Sequence, residues 1–163
     1  MSTFYIFRHG VTYETKTHTD YTSDIYSADI LPQSIEFLKK MGLYLNDIPS
    51  DFCVSSPLAR CRETVEIISD ISGKPFFFDS RLTEYSSHLE SMQQLRDRIN
   101  SFMQEITQKN YQNIQLCTHG AIISALLSAI KHQEITLDTL SVYPEPGTLL
   151  IVSGKDVKTI DFT

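Results

Sequence analysis

Two arginines and two histidines occur in three short motifs whose residue types suit phosphate chemistry. Arg8 and His9 form Arg-His-Gly near the start of the chain, Arg60 ends Ser-Ser-Pro-Leu-Ala-Arg, and His119 lies within Thr-His-Gly. A guanidinium group binds phosphoryl oxygens as a fork of parallel hydrogen bonds. Imidazole, whose usual pKa is about 6.5, is a competent nucleophile near neutral pH. Brought together, these four side chains could carry out phosphoryl transfer, which depends mainly on positioning and charge neutralisation.

Each motif directly follows a segment that predicts a β-strand. Apolar and aromatic runs at residues 3–7, 51–55 and 114–117 precede Arg8, Ser56 and Thr118. Ligands of open parallel sheets bind beyond the carboxyl ends of the strands, where helix N-termini favour anions. We therefore expect the three motifs to meet at one sheet edge and to form an anion site there.

The remaining pattern predicts alternating strands and helices. Apolar residues recur at helical spacing in residues 31–45, 56–72, 89–106 and 120–130, and a third strand is predicted at 75–78. Strands at 148–152 and 157–161 flank a turn, and residues 11–30 and 79–87 are predicted loops. This order indicates one α/β domain, residues 1–163, with three α/β/α layers around a mainly parallel sheet. The closing hairpin makes one edge antiparallel.

Composition excludes several classes of protein. The formal net charge is −6 and no run of Lys and Arg is present, which argues against a nucleic-acid partner. No apolar stretch approaches the roughly 20 residues of a spanning helix, and no targeting segment is recognisable, so we expect a cytoplasmic protein without a membrane partner. Cys53, Cys61 and Cys117 lack the spacing of zinc ligands and are interpreted as buried reduced thiols.

The motifs together resemble those of a known enzyme family. Residues 7–12, Phe-Arg-His-Gly-Val-Thr, resemble the Arg-His-Gly motif of the histidine phosphatase superfamily, which includes the cofactor-dependent phosphoglycerate mutases. Residues 55–60 resemble the segment with that family's second phosphate-binding arginine, and residues 118–120 the segment with its second histidine. Arg-Leu-Thr-Glu at residues 81–84 resembles the segment with the proton donor. The similarity extends from Phe4 to about Leu126 and implies a phosphoglycerate mutase-like fold.

The resemblance implies a role for each matching residue. His9 is the nucleophile that forms a phosphohistidine intermediate, and Glu84 is the general acid. The phosphate-binding residues are Arg8, Arg60, His119 and Thr12. Because arginines supply the positive charge, neither a metal nor a cofactor is expected.

Departures from the family pattern keep one assignment open. Val11 stands where the family often has Glu, Thr15 replaces a common Asn, and the chain contains no tryptophan. Glu14, on the loop after the nucleophile, is a rival to Glu84 as the general acid. The small phosphohistidine phosphatases of the family generally lack an acid at this position, so the presence of Glu84 favours phosphate esters.

These observations predict a metal-independent phosphatase that hydrolyses a small phosphomonoester. The alternatives are a protein phosphohistidine phosphatase, for which a phosphoprotein is the partner, and a catalytically weak phospholigand-binding module. Residues 11–30 and 131–147 are expected to shape specificity. Arg62 and Arg81 could extend the basic patch, although Arg62 is expected to point away from Arg60. The sequence leaves the physiological substrate and the oligomeric state open.

Overall fold

The computed structural model describes residues 1–163 and contains a six-stranded sheet with five α-helices. The strands are β1 (Thr3–Arg8), β2 (Phe52–Ser55), β3 (Phe77–Phe78), β4 (Asn113–Thr118), β5 (Thr148–Ser153) and β6 (Asp156–Asp161). The helices are α1 (Tyr13–Thr17), α2 (Ser34–Asn46), α3 (Ala59–Ser72), α4 (Met92–Lys109) and α5 (Gly120–Ile130). None of these helices combines the length and the apolar character needed to cross a membrane.

The strand order β3-β2-β4-β1-β5-β6 places the first and fourth strands side by side. Strands β3, β2, β4 and β1 pair in parallel, whereas β5 pairs with β1, and β6 with β5, in antiparallel fashion. Strands β2 and β3 lie on one side of β1, and β4 is inserted between β2 and β1. The chain then crosses to the other side of β1, where β5 and β6 are added. This reversal creates the crevice in which such sheets bind ligands. The predicted mainly parallel α/β sheet with an antiparallel edge is confirmed.

Alternation along β1 divides the apolar side chains between two cores. Phe4 and Ile6 belong to the core that packs under α4 and α5, whereas Phe7 belongs to the core under α2 and α3. Successive side chains of a strand point to opposite faces, so a continuous apolar run can fill both layers. Packing on both faces thus fixes the position of β1, and with it the position of Arg8 at its carboxyl end.

The structure corrects several predicted boundaries, for reasons of local hydrogen bonding. Residues 11–30 contain α1, a short helix that begins where the Thr12 and Thr15 side chains form a capping box. A second capping box, between Ser91 and Gln94, starts α4 at Met92 instead of residue 89. The helix predicted from residue 56 begins at Ala59, without a side-chain cap.

Candidate active site

Backbone hydrogen bonds tie the three motifs together at the carboxyl ends of β1, β2 and β4. Arg8 and Thr118 are partners in the parallel register of β1 and β4. The His9 amide donates to the Thr118 carbonyl at 3.1 Å, and the Ser56 amide donates to the Cys117 carbonyl at 3.0 Å. The positions of the three motifs relative to one another are therefore set by the pairing of the strands.

His9 is fully buried, and its ring is held in one tautomer. Its Nδ1 lies 2.8 Å from the Gly10 carbonyl oxygen. A carbonyl can only accept a hydrogen bond, so Nδ1 carries the hydrogen and Nε2 keeps its lone pair. No protein atom contacts Nε2 as a hydrogen-bond partner. The ring centre lies 5.3 Å from that of His119. This arrangement leaves a nucleophilic nitrogen beside a second imidazole.

Gly10 allows the segment after His9 to pass close to α2. A Cβ atom at this position would lie 2.9 Å from the Ser34 side chain, which is closer than real Cβ contacts. The Gly10 amide donates to Thr64 Oγ1 at 2.9 Å, which anchors the segment to α3. The glycine of Arg-His-Gly is thus required by packing, and its amide and carbonyl both help to fix His9.

His119 is oriented by Ser56. Its Nε2 lies 2.8 Å from Ser56 Oγ, which also accepts the Leu58 amide hydrogen at 3.3 Å. With the Leu58 amide as a donor to this oxygen, the hydroxyl hydrogen can bond His119 Nε2 when that nitrogen carries no hydrogen. In the neutral ring the hydrogen then resides on Nδ1, which is buried without a hydrogen-bond partner. His119 can therefore offer an N–H group to an anion.

Two buried arginines approach the histidines, and each stacks on a tyrosine. Arg60 is fully buried, donates from Nη1 to the Ile25 carbonyl at 2.5 Å, and leaves Nε and Nη2 without a hydrogen-bond partner. Its guanidinium carbon lies 4.0 Å from the centre of the Tyr21 ring. Arg8 leaves Nε unpartnered and stacks on Tyr143 at 4.9 Å. These contacts fix both guanidinium planes with donors still available.

Glu84 completes the cluster. Its Oε2 lies 3.8 Å from Arg60 Nη2 and 3.7 Å from His119 Nδ1, and its Oε1 accepts the Tyr85 amide hydrogen at 3.0 Å. Burial raises the pKa of this carboxyl above its usual range, although the charges of Arg60 and Arg8 act in the opposite direction. A carboxyl with a raised pKa retains its proton at a higher pH, as a general acid must.

The same surroundings keep the two imidazoles neutral. Burial holds the pKa of His9 well below its usual value, and the positive charges of Arg8 and Arg60 lower it further. Burial also dominates the lowered pKa of His119, followed by the charge of Arg60. Each histidine is therefore neutral at physiological pH, which is the state that a nucleophile requires.

A cavity of about 1150 Å³ opens above this cluster. Arg8 and Glu84 lie on its wall, and most other lining residues come from the segments 14–26, 84–89 and 137–145. Two of these segments lie within the loops expected to shape specificity. Typical small-molecule pockets have volumes of about 300–1,000 Å³, so the space exceeds what a phosphate ion alone would need.

Comparison with protein-family models identifies the family. Residues 4–88 and 84–154 match the histidine phosphatase superfamily (branch 1). The chain belongs to this superfamily. The match covers all four motifs, and the expectation of a phosphatase of this superfamily is confirmed. No curated protein matches the chain in a sequence comparison.

Solved structures of several phosphatases share the fold at low sequence identity. The α-ribazole phosphatase from Shigella flexneri aligns with a TM-score of 0.77 and 16% identity, over 98% of this chain and 95% of that one. A mycobacterial glucosyl-3-phosphoglycerate phosphatase with bound VO3 gives 0.78 and 14%, over 98% and 97%. The protein histidine phosphatase SixA with tungstate gives 0.66 and 13%, over 97% and 94%. The phosphoglycerate mutase-like fold is thereby confirmed.

Thr12 and Glu14 lie close to the superfamily motif but have partners of their own. The Thr12 hydroxyl accepts the Thr15 amide hydrogen at 3.2 Å and lies 2.8 Å from the Tyr21 hydroxyl, so its visible contacts cap α1. Glu14 lines the cavity. Burial and a hydrogen bond with the Asp24 carboxyl raise the pKa of Glu14. The predicted phosphate contact of Thr12 stays a prediction, and Glu14 remains a rival acid.

Three residues of the site were missed in the sequence. Tyr21 and Tyr143 stack on the arginines, but both lie in segments without periodicity that could have predicted their position. Ser56, followed by Pro57, has the residue pattern of a helix start, and no role at the site was predicted for it. Its position directly after a strand, beside the second motif, was the available signal for a hydrogen bond to His119. Long-range contacts made by loop residues are not encoded in local pattern.

We expect the ring of Tyr21, more than its hydroxyl, to support phosphate binding. Tyr21→Phe keeps the face that stacks on Arg60 and loses only the bond to Thr12, so kcat/KM should fall by less than about threefold. Tyr21→Leu removes the stacking, and kcat/KM should fall by about tenfold or more, chiefly through KM. Steady-state kinetics and the inhibition constant of inorganic phosphate measure both effects. Equal losses in the two variants would contradict this assignment.

Proposed function

We propose that this protein is a metal-independent phosphatase that hydrolyses a phosphomonoester through a phosphohistidine intermediate on His9. The observation that carries the proposal is a set of buried nitrogen atoms without hydrogen-bond partners, namely Arg8 Nε, His9 Nε2, Arg60 Nε, Arg60 Nη2 and His119 Nδ1. Buried polar atoms in proteins are seldom left unpaired. A phosphoryl group, which offers several acceptor oxygens around one electrophilic phosphorus, suits all of them together. We take residues 1–163 as one catalytic domain, since both cores rest on one sheet.

In the first step, His9 Nε2 attacks phosphorus and the bond from phosphorus to the ester oxygen breaks. The Glu84 carboxyl gives its proton to the departing oxygen, so a neutral alcohol leaves. Arg8, Arg60 and the Nδ1–H of His119 hold the phosphoryl oxygens and stabilise the charge that develops on them. The Nδ1–H bond to Gly10 lets the His9 ring share the positive charge that it acquires.

In the second step, water attacks phosphorus and the bond from phosphorus to His9 Nε2 breaks. The Glu84 carboxylate accepts a proton from that water and thus returns to its protonated state. The products are inorganic phosphate and neutral His9, ready for another cycle. Because two guanidinium groups are fixed in the protein, the reaction draws its positive charge from side chains and needs no metal ion.

The direct test is phosphate release from a panel of phosphomonoesters and a phosphohistidine peptide, with EDTA present. We expect metal-independent turnover and a preference for the esters, because Glu84 lies where it can protonate an alcohol. A preference for the peptide would support the phosphohistidine phosphatase. Saturable phosphate binding without turnover of any compound would support the binding module.

Glu84→Gln should reveal the general acid through the acidity of the leaving group. We expect kcat/KM for an alkyl phosphate to fall by about 10²–10³-fold, whereas 4-nitrophenyl phosphate, whose phenolate leaves unaided, should lose less than about tenfold. Burial raises the pKa of Glu84. Alkyl ester hydrolysis is therefore expected below that pKa and is lost as the pH rises through it. This basic limb should be absent from the pH profile of the variant.

Glu14→Gln is the matched control, because it neutralises the rival carboxyl on the same cavity wall. Its ratio of alkyl to 4-nitrophenyl phosphate rates should equal that of the wild type. If instead Glu14→Gln produced the selective loss and Glu84→Gln did not, Glu14 would be the general acid.

A further inference from the structure

Charge is distributed unevenly around the cavity above the phosphate site. Among its 24 lining residues, Arg8 is the one cationic side chain other than histidine, and it belongs to the phosphate site. The carboxylates among the lining residues are Glu14, Asp20, Glu84 and Glu145. Asp20 and Glu145 are both exposed to solvent. A substrate that enters this cavity therefore meets positive charge at its phosphate end and negative charge elsewhere.

Arg62 and Arg81, which could have bound a second anionic group, contact other residues outside the cavity. Arg62 donates to the Pro57 carbonyl at 2.6 Å and stacks on Phe78 at 3.9 Å. Arg81 is paired with Asp79 at 2.7 Å and with Glu105 at 2.8 Å. Neither arginine lines the cavity. Arg62 is exposed, as expected, and neither arginine extends the basic patch into the cavity.

Tyrosine rings line the same cavity as the carboxylates. Tyr26 and Tyr85 line the cavity, and Tyr26 is 58% exposed. In the same site Tyr21 and Tyr143 already stack on guanidinium groups. Carboxylates combined with tyrosine rings are the usual surroundings in which proteins bind organic cations.

We propose that the preferred phosphomonoester carries a positive charge in its alcohol portion, as the phosphate of an amine-bearing alcohol does. This inference rests on the proposed phosphatase function. The buried, unpartnered nitrogen atoms of Arg8, His9 and Arg60 fix where the phosphate binds. The alcohol portion must then extend into the cavity, where an ammonium group meets Asp20 and Glu145. A second carboxylate or phosphate on the substrate would be repelled there.

Three aryl phosphates that differ mainly in charge test this inference. They are 4-(aminomethyl)phenyl, 4-(hydroxymethyl)phenyl and 4-carboxyphenyl phosphate, whose leaving groups are cationic, neutral and anionic. We expect kcat/KM to be at least about tenfold higher for the cationic than for the anionic ester, with the neutral ester between them. The ratio should shrink as ionic strength rises, because the carboxylates of Asp20 and Glu145 are exposed to solvent.

The double variant Asp20→Asn with Glu145→Gln tests whether these two carboxylates produce the selectivity. The ratio of cationic to anionic kcat/KM should fall to less than about threefold in this double variant. Glu36→Gln combined with Asp156→Asn is the matched control, since it removes two exposed carboxylates that do not line the cavity and should retain the wild-type ratio.

The outcomes separate the inference from the function on which it rests. Turnover of all three esters without charge preference, or a preference for the anionic ester, would overturn the inference and leave the phosphatase intact. An unchanged ratio of cationic to anionic kcat/KM in the double variant of Asp20 and Glu145 would also overturn it. Absence of turnover of every ester would overturn the proposed function, and the inference with it.

Discussion

His9→Ala should lower kcat for phosphate release by at least about 10⁴-fold, the largest effect that we expect from any single substitution. The buried ring supplies Nε2, the nitrogen that we propose forms the bond to phosphorus, and alanine offers no replacement. Loss of a nucleophile removes the covalent route, so only slow attack by water in the remaining phosphate site is left. Phosphate release with EDTA present measures the effect, and thermal unfolding shows whether the variant is folded.

His132→Asn is the matched control for this substitution. His132 lies outside the cavity after α5 and has a positive φ of 56°, a conformation that asparagine adopts readily. The control should retain the wild-type kcat. A folded His9→Ala variant within about tenfold of the wild type would contradict the nucleophilic role.

Arg60→Lys should reduce kcat/KM by about 10²–10³-fold, although it keeps the positive charge. The guanidinium group of Arg60 donates to the Ile25 carbonyl, while Nε and Nη2 have no hydrogen-bond partner and are proposed to bind the phosphate. A lysine ammonium is a single point and cannot reproduce this fork, so at least one of these interactions is lost. The stacking on Tyr21 is weakened as well. The inhibition constant of inorganic phosphate should rise together with KM.

Arg62→Lys provides the comparison, because it makes the same chemical change two residues along α3. Arg62 is exposed and does not line the cavity, so its variant should have near wild-type kinetics. If Arg60→Lys proved as active as Arg62→Lys, the bidentate phosphate contact assigned to Arg60 would be wrong.

The sequence predicted the sheet and the convergence of the motifs because both depend on local patterns. Apolar runs predict strands, and strands that run in parallel must deliver their following residues to one edge. Arg8 ends β1, His9 and His119 directly follow β1 and β4, and Arg60 lies in the first turn of the helix after β2. These four side chains therefore come together once these three strands lie side by side.

Contacts made by irregular segments could not be predicted in this way. Tyr21 reaches Arg60 across 39 positions, and Tyr143 reaches Arg8 across 135. Nothing in the residues between them fixes those distances, because loop conformation is decided by the finished packing. The Glu84 position rested on a four-residue resemblance, and its raised pKa depends on burial that only the folded chain provides.

Direct detection of the phosphoenzyme tests the central claim, the nucleophilic role of His9. The wild-type protein is mixed with a ³²P-labelled phosphomonoester, quenched in alkali within milliseconds and digested for peptide mapping. We expect label on the peptide that contains His9, stable in alkali and lost in acid, as a phosphoramidate requires, and no label in His9→Ala. Active wild-type enzyme that carries no label, or carries it on another residue, would contradict the account.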